Sequence, residues 1–246
     1  MATTMLDALS TGKASPQEVV QSVNSHVLAD ESKKDDVVWE TWVQLFSIAG
    51  KTPPKQQGGL VEFLEVLRNS PLKNADGEDV VVEQGALWTK LPAFGWVARD
   101  LWNWDIHDPK ATAQEHEDWD NKAAFLARLT AQASPEDKDD PFNYSLYALW
   151  ALRDAFEQDS PGSVTNVPAI RNAAIWAIYA GKVLRKLSSE QVNADGNSGA
   201  AGPKFAGKEW KGFNPERYNI WKQGFEEAAG SVEAAKAAVE AMENLG

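Results

Sequence analysis

Cysteine is absent from this chain of 246 residues. No disulfide, thiolate metal site or cysteine nucleophile can form. Histidine is nearly as scarce, with three residues, His26, His107 and His116. None of them neighbours a nucleophile-elbow motif, so no serine–histidine–carboxylate triad is read. No stretch approaches the ~18 uninterrupted apolar residues of a membrane span. The first residues lack a basic segment followed by an apolar core, so no signal peptide is expected. Positive charge is also short. The net charge of −12 argues against general nucleic-acid binding. These absences predict a soluble protein of the cytoplasm, with the nucleus as the other compartment, and with no cofactor, membrane or nucleic-acid partner.

What the chain has in excess is tryptophan, eleven of them, within a hydrophobic content of 43%. That content is ample for a core, so disorder of the whole chain is excluded. Each indole can bury a large apolar area but wants an acceptor for its N–H. The plainer reading is a tryptophan-rich core, and the alternative is an aromatic binding cage. Charge is unevenly spread. Residues 105–160 hold thirteen acidic and five basic side chains, whereas residues 165–222 hold four acidic and nine basic. Two halves that attract each other on folding explain this with the fewest assumptions, and a binding feature is the alternative.

Apolar spacing predicts an all-α fold of eight to nine helices. Ser15-Pro-Gln-Glu18 is a capping box with proline at the first helical position, and Val19, Val23 and Val27 follow at helical spacing. A second helix over residues 35–49 carries Trp39, Trp42, Phe46 and Ala49, and Gly50 stops it. A third spans 60–68. Val80 to Val82 reads as one short strand without a partner. Pro92 opens a fourth helix with Phe94, Val97, Leu101 and Trp104 on one stripe and Trp96 off it. Pro109 opens a fifth, which continues through residues 119–133. Residues 134–141 read as a polar turn. The sixth helix, 143–157, is apolar around well over half its circumference and should be central. The seventh, 169–187, is two-faced. Ala169, Ala173, Trp176, Ala180, Val183 and Leu187 line one side, and Arg171, Lys182, Arg185 and Lys186 the other. Residues 188–212, rich in glycine, serine and lysine, read as a flexible loop. A helical hairpin closes the chain, turning at Gly230-Ser231. The expected organisation is a single helical domain over residues 1–246.

Candidate chemistry is thin. Gly202 to Glu209 superficially matches G-x-x-x-x-G-K-[ST], but Glu209 replaces the hydroxyl residue that would hold magnesium, and no strand precedes the loop. Asp139-Asp140 has the look of an aspartate-rich metal motif, but no second motif faces it, and acidic residues in a turn cap the following helix. His107, Glu115, His116, Asp118 and Asp120 hint at a metal site. A zinc-binding helix wants two such ligands at i and i+4, and only one histidine lies on this helix, so no metal site is assigned. Asn143-Tyr-Ser145 is a glycosylation sequon that would be inert without secretion. His26 on an apolar stripe reads as a hydrogen-bonded core histidine. Arg128, Arg153, Asp154 and Glu157 on an otherwise buried helix pair call for interhelical ion pairs, with an arginine-lined anion pocket as the functional alternative.

The runs Trp119-Asp-Asn121, Phe125, Ala127-Arg-Leu-Thr-Ala131, then Tyr147-Ala-Leu-Trp-Ala-Leu-Arg-Asp-Ala155, then Ala173-Ala-Ile-Trp-Ala-Ile-Tyr-Ala-Gly181 resemble an uncharacterised family of filamentous-fungal proteins, classed as a domain of unknown function. The resemblance covers residues 90–185 and extends to most of the chain. It implies a fungal, intracellular protein and brings no catalytic residues. Two function classes follow. One is a non-enzymatic interaction or scaffold domain with a protein partner or a homo-oligomeric state. Its surface would be Arg171, Ile175, Ile178, Tyr179 and Lys182, where apolar residues interrupt a basic face. The other is a binder of a small apolar or anionic ligand, or a metal-free enzyme, with a pocket built from Trp102, Trp104, Arg128, Tyr147, Trp150, Arg153 and Trp176.

Overall fold

Helix boundaries in the computed structural model, which describes residues 2–82, 85–134, 137, 139–159 and 166–244, follow the capping chemistry of the sequence. Ten α-helices are described: α1 (Ala2–Ser10), α2 (Pro16–Ala29), α3 (Lys34–Lys51), α4 (Gly58–Arg68), α5 (Phe94–Trp102), α6 (Ala113–Thr130), α7 (Ser145–Phe156), α8 (Val167–Ser189), α9 (Pro215–Ala228) and α10 (Glu233–Glu243). The all-α class is as expected, and the additional helix is α1. The Ser15 hydroxyl accepts from the Glu18 N–H, and the Glu18 carboxylate accepts from the Ser15 N–H at 2.8 Å. Thr112 and Glu115 repeat the device at the start of α6. Asn166 and Asn214 cap α8 and α9, each with proline in the first turn. Such caps satisfy amide donors that a helix start leaves over.

The described residues form two compact units, Met1–Asp105 with Glu117–Phe125, and Ile106–His116 with Leu126–Gly246. In the first unit α1 packs on α2, α3 and α4, α2 on α3 and α4, and α3 on α5. Its core is aromatic. Trp42 meets Trp88 and Phe94 edge-on at 5.5 and 5.2 Å, and Phe46 meets Phe125 edge-on at 5.8 Å. Each such pair adds about 0.5–1.5 kcal/mol beyond the area it buries. The buried stripe of α3 is Val38, Trp42, Leu45 and Phe46, whereas Trp39 is 40% exposed. The amide nitrogen of Gln57, buried just before α4, shares its two hydrogens among the carbonyls of Ala49, Thr52 and Asn121, and Asn121 donates to the Gly50 carbonyl at 2.8 Å.

In the second unit α8 packs on α7, α9 and α10, and α9 packs on α10 as the expected closing hairpin. All six residues of the expected apolar face of α8, Ala169 through Leu187, are buried. Residues 190–212 carry one short 3-10 turn, Pro203–Phe205, and isolated bridges that pair Asn193 with Gly212 and Ala200 with Lys211.

Two local expectations are corrected. Val81–Val82 does have a partner: it pairs antiparallel with Gly85–Ala86, two residues whose small side chains give no strand signal. Helix α5 stops at Trp102, so Trp104 lies beyond it rather than on its stripe. Within the polar turn, Asp140 accepts from the Ser134 and Phe142 N–H groups, which makes it a turn cap. Pro135, Glu136 and Lys138 of that turn lie outside the described residues.

Candidate functional site

The seven residues expected to build an aromatic pocket are divided between the two units. Trp102 and Trp104 belong to the first unit, where both pack on Trp119, with ring centroids 4.8 and 5.5 Å away. Tyr147, Trp150 and Arg153 lie one helical turn apart on α7. The Tyr147 and Trp150 rings stack at 5.4 Å. The Trp150 indole donates to the Ser198 carbonyl at 3.0 Å, and Arg153 donates to the carbonyls of Ser198 and Ala200. Burial, with the nearby Arg217 charge, holds the Arg153 guanidinium below its ordinary value. Trp176 is fully buried. Elsewhere the indoles also find acceptors: Trp42 on the Pro92 carbonyl and Trp88 on the Asn24 amide oxygen, both at 2.7 Å. Trp42, Trp88 and Trp150 thus each tie a helix to a loop.

The most densely bonded group in the second unit escaped the sequence reading. Glu157, at the end of α7, and Arg217, in the first turn of α9, are both 0% exposed. Arg217 Nε donates to Glu157 Oε1 at 2.7 Å and Nη2 to Oε2 at 2.9 Å. Nη1 donates to the carbonyls of Gly199 and Gly212, and Nη2 also to Ala200. All five guanidinium donors are thereby used. The Glu157 carboxylate accepts further from the Trp221 indole and the Gly202 N–H, each at 2.8 Å. Glu157 was expected in an ion pair; its partner was not foreseen. The glycines of this region permit the approach, because a Cβ on Gly199, Gly202 or Gly212 would strike Lys211, Glu157 or the Val192 carbonyl. The phosphate-loop-like run thus begins with an amide already given to a carboxylate.

His107 sits between two partners. Its Nε2 lies 2.9 Å from an Asp154 oxygen, and its Nδ1 lies 3.3 Å from the Asn166 amide nitrogen. Since Asn166 Nδ2 can only donate and Asp154 only accept, the neutral ring carries its proton on Nε2. Both nitrogens therefore have a partner, one on α7 and one at the start of α8. Among the described residues no group of three or more histidine or carboxylate side chains is placed to hold a metal ion.

On α8, Ile178 and Tyr179 are half-buried beside half-buried Arg171 and exposed Lys182, whereas Ile175 is buried, with 8% exposed. Ile175 therefore backs that surface rather than lining it. Arg128, in the last turn of α6, reaches over the face of Tyr179, its guanidinium carbon 4.4 Å from the ring centroid. Its Nε is buried without a hydrogen-bond partner.

A second concave feature is an open cleft of about 840 Å³ between the end of α7, the Pro203–Phe205 turn and α9. Phe156, Phe205 and Ile220 supply apolar wall, and Lys204, Gln223 and Glu227 supply polar groups. The cleft wall depends on the Glu157 group, because the Glu157 carbonyl accepts from the Lys204 N–H at 3.1 Å.

Among the described residues no helix is long and apolar enough to cross a membrane. Comparison with known families finds a match over residues 42–225 to a family described as "Protein of unknown function (DUF3632)". No curated protein and no solved structure matches the chain.

Proposed function

The chain belongs to this family of unknown function, and from its own geometry we propose that it is a non-enzymatic, intracellular protein-interaction domain that docks a partner on α8. The observation that carries the reading is the face made by Arg171, Ile178, Tyr179 and Lys182, extended by Arg128 from α6. Its apolar members are only half-buried, and it is cationic on a chain of net charge −12. Aromatic residues and arginine are the types enriched at interface hot spots. Two titratable groups are tied to neighbours: His107 bridges Asp154 and Asn166, and Glu157 accepts from Arg217, Trp221 and Gly202. The test places a photo-crosslinking residue at position 182, with position 62 on α4 as the control. A discrete adduct in cell extract from position 182 alone supports the reading. Absence of an adduct, or the same adduct from both positions, overturns it.

The cleft favours a second reading, binding of a small amphipathic molecule. Its volume of about 840 Å³ falls within the range of ligand sites, roughly 300–1,000 Å³. Gly224 packs so closely on the Phe156 ring that a Cβ would displace it. Replacing Gly224 with alanine should push the ring into the cleft and abolish any hit from a ligand-observed NMR fragment screen. Hits that survive the substitution would overturn the second reading.

A further inference from the structure

We propose that Arg128, held over Tyr179 and accompanied by Lys182, is an anion receptor, and that it takes a carboxylate from an acidic segment of a partner protein. The proposal rests on the interaction reading above and names the partner's chemistry.

A partly buried guanidinium normally has its donors filled. The second unit shows this twice: Arg217 fills all five, and Arg153 bonds two backbone carbonyls. Arg128 is different. Among the described residues no carboxylate pairs with it, its buried Nε has no acceptor, and its recorded contact is the Tyr179 ring. One turn to either side of it stand Ala124 and Phe125 on α6 and Ala131 and Gln132 just past its end. Around Tyr179 on α8 stand Ile175, Ile178, Lys182 and Val183. None is acidic, and one is a second cation. Arg128 on α6 and Lys182 on α8 are thus two cations with no acidic residue one turn away on either helix.

The ring fixes the guanidinium before any ligand arrives. A cation at 4.4 Å from the centroid lies within cation–π range, and a fork already oriented loses less freedom when it binds a carboxylate in two-pronged fashion. The half-buried Ile178 and Tyr179 offer apolar contact beside the charge. That combination fits a peptide that alternates carboxylates with apolar side chains. A nucleic acid would find no apolar use for Ile178, whereas an acidic peptide meets both the charge and the apolar contact.

The test uses the full chain and a fluorescein-labelled peptide of Glu-Ala-Leu repeats, followed by fluorescence anisotropy. The peptide should bind, weaken with added salt, and lose about tenfold in affinity with Arg128→Lys, which keeps the charge but not the fork. Lys182→Glu, at an exposed position, should abolish binding while leaving the thermal melt unchanged, so the proposal stays testable even if the Arg128 variant folds poorly. Equal binding of a Lys-Ala-Leu peptide, unchanged affinity in both variants, or displacement of the peptide by a single-stranded DNA oligonucleotide would overturn it. So would a change in self-association, by analytical ultracentrifugation, as the sole effect of the variants. If the adduct at position 182 forms but the acidic peptide does not bind, this inference fails and the interaction reading stands.

Discussion

Arg217 grips both oxygens of Glu157, at 2.7 and 2.9 Å, with neither side chain touching solvent. Two charges withdrawn from water are costly, and their attraction repays that cost only where the remaining donors and acceptors are filled. Here they are filled, by three backbone carbonyls on the arginine side and by an indole and an amide on the glutamate side.

Removing one partner should therefore be severe. Arg217→Met is expected to cost about 3–5 kcal/mol in denaturant unfolding, because it leaves the Glu157 charge buried and uncompensated. In this protein the double variant Arg217→Met with Glu157→Leu should recover only part of the loss. It still orphans the carbonyls of Gly199, Ala200 and Gly212. Full recovery in the double variant would show that those carbonyl bonds contribute nothing.

Trp150→Phe keeps a ring for Tyr147 to stack on but deletes the bond from the indole to the Ser198 carbonyl. The expected loss is about 1 kcal/mol of stability. Hydrogen exchange should rise locally around residues 198–200, where Arg153 still binds the Ser198 carbonyl. Exchange that rises equally across α7 would mean that the ring, not the bond, holds this contact.

The two capping boxes predict an acid limb of stability. Hydrogen bonds from the backbone and hydroxyl of Ser15 hold Glu18 below the ordinary glutamate value, and those from Thr112 do the same for Glu115. A carboxylate whose folded value is depressed contributes stability above its unfolded value, and that contribution is lost as pH falls through the folded value. Glu115→Gln should lower the neutral plateau of a thermal-melt series and flatten its acid limb, so that variant and parent converge at low pH. An unchanged acid limb would remove the box at α6 as a contributor.

The elements that the sequence announces are those whose burial is periodic. Ala169 to Leu187 fall on one side of α8 because 3.6-residue spacing places them there, and that side is buried. Capping chemistry is equally local, so Ser15 and Asn214 are legible as helix starts. The Val81–Val82 pairing was not legible, because Gly85–Ala86 offers no β-branched side chain. Nor was the Arg217 bond, which spans 60 residues. Near the start of a helix, after Asn214-Pro215, an arginine looks like any exposed charge. One signal did point toward it: a glutamate ending a helix that is apolar around well over half its circumference. Trp39 shows the opposite limit, since a large apolar residue at the right spacing can still face water.

Because the grip of Arg217 falls on the carbonyls of Gly199, Ala200 and Gly212, the tip between them is anchored at its base and open at its summit. Ala206 and Gly207 are exposed, and a Cβ built on Gly207 meets nothing. An affinity tag or fluorescent reporter spliced between those two residues would ride outside the anchor. The same graft at Gly199 or Gly202 would unseat it.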